Sequence, residues 1–385
     1  MTTQVASAPV TVPVATSYAK IGVGLSPNSH LLIVGLTGGK SPGLPRAASA
    51  QKSPYGSGNW TRLSKALTGT SSSTSMADLV IAADQYGTEA LGLGNDGNIY
   101  RAGQEASGEW TAGAGIVSQT TTFVPGTLST QALNTATVFA VANPLYAPWI
   151  ALYRDQETHP QWQPGLALPN PTSSKFASLC ARPDMSDAGT THVIGLTRDG
   201  NACEVATTSG SGTGPTQTWT KGVGFLGDKS VLPALKQLVL VTADAAGNFH
   251  VIGLGTDNSV WDVDQFTANA ATPAWSHTSA CIVEAGQFTA DKIDCYFSSA
   301  FTILLLASSG GLLFQLATYS NEWTANPSRI PSLGACADWH VAPNPTTGTG
   351  TEAFILGVAS TGLVYEVADY GGGKWTQGPA GHISG

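Results

Sequence analysis

The chain has 385 residues, of which 42 % are apolar and only 11 % charged, with a formal net charge of −8. That is enough apolar material for a large core, and too few scattered Lys and Arg to track a phosphate backbone, so nucleic acid is excluded as a partner. No apolar run approaches a membrane span, and five cysteines in this length imply no disulfide framework; Cys180, Cys203, Cys281, Cys295 and Cys336 are expected to be small buried hydrophobes.

In chain order the same element keeps returning. "SHLLIVGLTGG" begins at Ser29, "EALGLGNDGNIY" at Glu89, "THVIGLTRDGN" at Thr191, "FHVIGLGTDNS" at Phe249, "FTILLLASSGGLLF" at Phe301 and "EAFILGVASTGLVY" at Glu352. Each is an apolar run, a short turn with Gly, Asn or Asp, and a second run, which is the pattern of a β-hairpin. Gly and Asn supply the positive φ of such turns. A second marker follows: Trp60, Trp110, Trp162, Trp219, Trp275, Trp323 and Trp375 are separated by 50, 52, 57, 56, 48 and 52 residues, and six of the seven are followed by Thr or Ser. A repeat of about fifty residues without 3.6-residue periodicity rules out the helical solenoids.

Each unit divides into four short strands. In the fifth these are "QLVLVTAD", "FHVIGLGT", "SVWDVDQ" and "AWSH"; in the seventh, "ADWHVAP", "EAFILGVAS", "LVYEVADY" and "KWTQG". The second strand is a continuous apolar run, as for a strand covered on both faces, and is read as the inner strand. The third alternates and is expected nearer the surface. The fold class is therefore all-β: one seven-bladed β-propeller domain over residues 1–385, four antiparallel strands per blade, each blade ending near its Trp. The Trp is expected to pack on the neighbouring blade. The third unit, "NPLYAPWIALYRDQETHPQWQPG", carries Pro144, Pro148 and Pro160, so either an irregular outer edge or a loop over one face is expected there. Residues 40–58 and 207–217 read as long flexible connections.

No catalytic constellation emerges. The seven histidines show no metal spacing, no G-x-S-x-G elbow occurs, and the Gly-rich turns precede no helix, so neither a metal nor a cofactor is expected. His192 and His250 hold matching positions, either as repeated hydrogen-bonding residues or facing the central channel. On the third strand an aromatic beside a charge recurs: Tyr100 with Arg101, Trp261 with Asp262, Tyr365 with Glu366, and Glu204 in the matching place. A sugar needs that combination, a ring for its C–H face and planar charged groups for paired hydroxyls. Neighbours on a strand face opposite ways, so ring and charge would have to meet across adjacent blades.

The hairpins and the terminal "W-T" of each unit resemble the β-propeller lectins, the tectonin group and the fungal and bacterial fucose-binding propellers. The resemblance implies non-catalytic glycan binding between blades, several sites per ring. In the fucose binders each site uses an Arg, a Glu and an aromatic. Here Arg101, Arg154, Arg198 and Arg329 do not fall in one repeat position, and Gln315 stands where Glu204 and Glu366 do, so seven equivalent sites are not expected. The ligand-binding candidates are Tyr100, Arg101, Glu204, Trp261, Asp262, Tyr365 and Glu366. Blade divergence supports a second reading. In it, one apolar pocket binds a small molecule and catalyses a cofactor-free pericyclic cyclisation, as in the fungal hetero-Diels–Alder enzymes of tropolone sesquiterpenes, which are suspected of a similar fold. Its candidates are Tyr146, Trp149, Tyr153, Arg154, His159, Trp339 and His340. Asn59-Trp60-Thr61 is a glycosylation sequon, relevant only to a secreted protein. The N-terminus has no signal-peptide pattern, which leaves a mature secreted form and a cytoplasmic protein both open. A homodimer would add avidity, though no segment demands it.

Overall fold

Apolar runs punctuated by turn residues can satisfy their backbone only by pairing with the next run, and the chain does this throughout. The computed structural model describes residues 18–25, 31–37, 48–52, 61–64, 76–84, 87–104, 110–116, 121–132, 136–154, 162–183, 190–208, 218–242, 248–268, 274–297, 303–320, 322–330, 335–343, 353–359, 364–369 and 375–377. These residues form seven antiparallel sheets, each built mainly from strands consecutive in the chain. The first holds β1 (Tyr18–Leu25), β2 (Leu31–Thr37), β3 (Ala48–Lys52) and β4 (Thr61–Ser64). The second holds β5 (Met76–Asp84), β6 (Gly87–Gly94), β7 (Ile99–Gln104) and β8 (Trp110–Ile116). The third holds β9 (Thr122–Phe123), β10 (Ser129–Ala132), β11 (Ala136–Asn143), β12 (Ala147–Arg154) and β13 (Trp162–Pro164), with β9 beside β11. The fourth holds β14 (Phe176–Pro183), β15 (Thr191–Thr197), β16 (Ala202–Thr208) and β17 (Trp219–Phe225). The fifth holds β18 (Leu235–Thr242), β19 (Phe249–Gly255), β20 (Val260–Thr267), β21 (Ala274–Trp275) and β22 (Ala280–Val283), the last two both on β20. The sixth holds β23 (Lys292–Phe297), β24 (Ile303–Ser309), β25 (Leu312–Tyr319) and β26 (Trp323–Arg329). The seventh holds β27 (Cys336–Pro343), β28 (Ala353–Ala359), β29 (Val364–Asp369) and β30 (Trp375–Gln377).

This is an all-β propeller. The first strands neighbour one another in turn, β1, β5, β10, β14, β18, β23 and β27, and β27 lies against β1. They do not pair as a sheet. Instead their side chains reach the next sheet's backbone. Asp78 accepts the Leu128 N–H at 2.8 Å, Arg182 donates to the Leu240 carbonyl at 3.4 Å, and Gln237 both donates to and accepts from Ile293 at 2.8 and 2.9 Å. Asp294 accepts the Val341 N–H at 3.3 Å, and Asp338 accepts that of Ile21 at 3.5 Å, from the last sheet back to the first. These bonds supply partners for backbone groups at the sheet edges that would otherwise lack them.

Apolar clusters fill the boundaries between successive sheets. Leu91, Val138 and Trp162 join the second sheet to the third; Ile194, Val251 and Trp275 join the fourth to the fifth; Leu306, Trp339 and Ile355 join the sixth to the seventh. The repeated phrase "HVIGL" belongs to the second strand, which is buried along its whole length in β15, β19 and β28. Its Gly is a close-approach position: a Cβ on Gly195 would lie 2.4 Å from the Phe176 ring, and one on Gly253 2.7 Å from Val263. The hairpin turns use positive φ as expected, 81° at Gly97, 79° at Gly200 and 68° at Asn258.

Four sequence expectations are corrected. The innermost strand is the first of each sheet, and "HVIGL" lies one strand outward. A strand sandwiched between blades and one at the channel both read as continuous apolar runs. The third strand is largely buried, as in β16 and β20, and the solvated strand is the fourth, most clearly β26. Residues 40–58 contain β3 rather than a continuous connection. Of the cysteines, Cys281 is exposed and Cys180 is half-buried, while the other three are buried. Thr207 and Thr208 close β16; the rest of 207–217, together with Asn59, Trp60 and His159, lies outside the described residues. The third unit has the expected irregular edge, with the short β13 and an isolated bridge from Trp149 to Ala167.

Candidate functional site

Two positions recur at the sheet boundaries. On the third strand, Arg101, Glu204, Asp262, Gln315 and Glu366 hold one register position, opposite Leu91, Ile194, Ile252, Leu306 and Leu356. Two residues before each of those partners, the second strand carries Glu89, His192, His250, Leu304 and Phe354. Side chains two apart on a strand share a face. In the second, fourth, fifth and sixth sheets this pair is met by the Trp of the following sheet.

At the boundary of the fourth and fifth sheets the arrangement is closed. Glu204 Oε1 accepts from His192 Nδ1 at 2.7 Å and from Trp275 Nε1 at 3.0 Å, and Oε2 accepts the Val223 N–H at 2.8 Å. The rings of Phe266 and Phe249 lie 4.3 and 5.3 Å from the imidazole, and only 5 % and 3 % of the His192 and Glu204 side chains are exposed. At the next boundary Asp262 Oδ2 accepts from His250 Nδ1 at 2.7 Å, Gln265 Nε2 at 2.9 Å and Trp323 Nε1 at 2.9 Å, with the Tyr319 ring 4.7 Å from His250. Between the sixth and seventh sheets Trp375 donates to Gln315 at 3.1 Å. These are hydrogen-bonded inter-sheet locks, buried among aromatic rings, in which Asp262 Oδ1 and His192 Nε2 have no hydrogen-bond partner among the described residues.

The boundary of the second and third sheets differs. Trp162 Nε1 donates to Glu89 Oε2 at 2.6 Å, and Arg101 Nη1 stands 3.8 Å from Glu89 Oε1, with 26 % of the Arg101 side chain and 15 % of the Glu89 side chain exposed. The charges are exchanged between strands relative to the fourth sheet: the acid sits on the second strand and the cation on the third. At 3.8 Å the ion pair is a charge contact rather than a hydrogen bond. The guanidinium is partly exposed and the carboxylate less so, while the Trp162 indole is buried behind them in the apolar cluster of this boundary. The charged pair can donate to and accept from adjacent hydroxyls.

The other sequence candidates fall as follows. The Tyr100 hydroxyl donates to Asp96 at 2.6 Å, within its own hairpin. The Trp261 indole donates to Ser259 at 2.8 Å. Tyr365 packs into the boundary of the sixth and seventh sheets, and Glu366 is buried. At Glu89, Glu204 and Asp262 the aromatic that meets the charge is thus not a strand neighbour but the Trp of the next sheet. His192 and His250 share a hydrogen-bonding role. Of the apolar-pocket candidates, Tyr146 lies under the Arg198 guanidinium at 4.3 Å, Trp149 packs edge-on to Phe123 at 6.5 Å, and Tyr153 joins the cluster of the third and fourth sheets. Trp339 is buried between the sixth and seventh sheets and His340 stands 3.3 Å from Asp338. Arg154 ends β12 opposite Trp162. The described members of that set are spread over several sheet boundaries and are not brought together. Glu89 and Trp162 escaped the sequence reading as site residues. The signal is the alignment of "EALGL" with "HVIGL", which puts Glu89 on the histidine position.

Among the described residues no cluster of three or more His, Cys, Asp or Glu could hold a metal, and no helix is long and apolar enough to cross a membrane. No family model and no curated protein matches the chain. Among solved structures it is similar to the BP39L lectin from Burkholderia pseudomallei, with a TM-score of 0.66 and 16 % identity over 96 % of this chain and 99 % of that one. It is also similar to AofleA from Arthrobotrys oligospora, with a TM-score of 0.51 and 16 % identity over 77 % of this chain and 83 % of that one.

Proposed function

We propose that this chain is a non-enzymatic carbohydrate-binding protein, a lectin built as one seven-bladed ring, with a glycan seated between the second and third sheets. The observation that carries the reading is the partly exposed Arg101 beside Glu89, whose carboxylate is held from behind by the buried Trp162 indole. Arg101 would donate to one or two sugar hydroxyls and Glu89 would accept from a neighbouring one, with the buried Trp162 indole holding the carboxylate in place. An Arg, a Glu and an aromatic is the set implied by the resemblance to the fucose-binding propellers, and the fold similarity to a bacterial lectin supports it. The closed boundaries explain why one partly exposed pair, rather than a full ring of sites, is offered among the described residues. Binding to a broad glycan array tests the reading. At tens of micromolar protein, a range that captures weak single-site binders, a specific signal is expected, and its absence across the array would overturn the proposal.

A further inference from the structure

One charged side chain breaks the pattern of the inner ring. On the first strands, Ala82, Arg182, Val241, Tyr296 and Ala342 hold one register position, opposite Glu89, His192, His250, Leu304 and Phe354. Ala82, Val241, Tyr296 and Ala342 are buried, each in the apolar cluster at the boundary with the following sheet. The repeat therefore asks for packing at this position and not for charge. In the fourth sheet the residue is Arg182, half-buried and absent from the cluster of its boundary. Its Nη1 donates to the Leu240 carbonyl of β18 at 3.4 Å, a long bond and the one hydrogen bond it makes among the described residues. A guanidinium has five N–H donors to place. No described carboxylate forms an ion pair with it. Burial pulls the guanidinium below its ordinary range, and the Cys295 thiol of β23 is the group that acts against that shift.

We propose that Arg182 is the centre of an anion-binding site on the inner ring, and that the site takes a small monocarboxylate. The site is separate from the glycan site and stands whether or not the chain binds sugars. A half-buried cation without a counter-charge is costly, and an anion that meets its donors removes that cost. A carboxylate matches two parallel N–H groups of the guanidinium fork and leaves the bond to Leu240 in place. The side chains beside it belong to the apolar cluster of the fourth and fifth sheets: Cys180, two residues earlier on the same face of β14, and Leu238 and Leu240 of β18. The Cys180 thiol donates to the Ile194 carbonyl and is already engaged. The guanidinium is thus the polar group that selects the ligand. One cation neutralises one negative charge. A dianion would stay charged in a neighbourhood where Asp262 and Asp294 already act on Cys295.

The test is thermal unfolding of the full chain at pH 8 in rising sodium acetate, against sodium chloride and sodium phosphate of equal ionic strength, for wild type, Arg182→Val and Arg182→Lys. Valine is the residue that β18 carries at this position, so Arg182→Val fits the ring. The response is read as the difference from Arg182→Val, which removes the general effect of each salt on burial. Acetate is expected to raise the wild-type melting temperature along a saturating curve, by about 2 °C at ten times its dissociation constant. Arg182→Lys should keep a weaker response, since the charge remains and the fork does not. Line broadening of isotope-labelled acetate in NMR reads the same binding without unfolding, and should be present in wild type and weaker in Arg182→Lys. No acetate response beyond chloride, a phosphate response as large as that to acetate, or no broadening with wild type overturns the proposal.

Discussion

Trp275 donates its indole N–H to Glu204 at 3.0 Å across the boundary of the fourth and fifth sheets, onto the oxygen that also accepts from His192 at 2.7 Å. The bond ties an outer strand to the blade before it, through a carboxylate with almost no water. Removing one partner of such a cluster leaves buried donors unpaired. Glu204→Ala is expected to destabilise the fold by about 3 kcal/mol. Glu89→Gln, which keeps an acceptor for the Trp162 indole and loses only the 3.8 Å charge contact with the partly exposed Arg101, should cost about 1 kcal/mol. Chemical denaturation of the two variants side by side measures the difference, and equal losses would contradict the distinction between lock and site.

The glycine of the repeated phrase carries a separate expectation. A Cβ on Gly195 would come within 2.4 Å of the Phe176 ring, which is fully buried and cannot swing aside. Gly195→Ala should therefore destabilise by about 1–3 kcal/mol through overpacking. A shift in the denaturation midpoint with unchanged slope would show it.

The ring closure is expected to be acid-sensitive. Burial works to raise the Asp338 carboxyl, but the hydrogen bond from His340 and the charges of His340 and Lys292 outweigh it and hold the group well below the usual carboxylate range. A depressed folded-state value means the contribution is complete above about pH 4, the ordinary value of an unfolded Asp, and is lost as the pH falls below it. Asp294 acts in the opposite sense, because burial pushes its carboxyl up. Asp338→Asn should flatten the acid limb of melting temperature against pH, and the loss from pH 5 to pH 2 should be visibly smaller than in wild type. An unchanged acid limb would remove Asp338 from the account.

Thiol chemistry should single out one cysteine. Burial pushes the Cys180 thiol up to about 12, and pushes Cys203 and Cys336 up to about 11. Cys295 is also buried and raised, whereas Cys281 is exposed, although partial burial and the charges of Glu284 and Asp257 raise its thiol too. Since access and thiolate form both matter, a disulfide reagent is expected to modify Cys281 first, through its exposure, and faster at pH 9 than at pH 8, with the others following on unfolding. Mass spectrometry of the modified peptides reads the order directly.

Much of this was legible in the residues. The tryptophan spacing and the doubled "HVIGL" announce the repeat because each blade makes the same demands: a bulky ring on the outer ladder and a glycine where an aromatic crosses. The order of strands from the channel outward was not legible, since burial between blades and burial at the channel leave the same apolar run. The site was half legible. Arg101 stands out on its strand, but its partner Glu89 is hidden by the exchange of charges between strands, and ring and charge come from different units.

The most direct test of the central claim is calorimetric titration of an array-identified glycan into wild type, Arg101→Ala and Glu204→Gln. If the site lies between the second and third sheets, Arg101→Ala loses binding by at least about tenfold, the worth of a charge-assisted bond, with an unchanged melting temperature. Glu204→Gln then keeps wild-type affinity and melts earlier. Binding that survives Arg101→Ala and disappears with Glu204→Gln would place the glycan at the boundary described here as a lock, and would contradict the account.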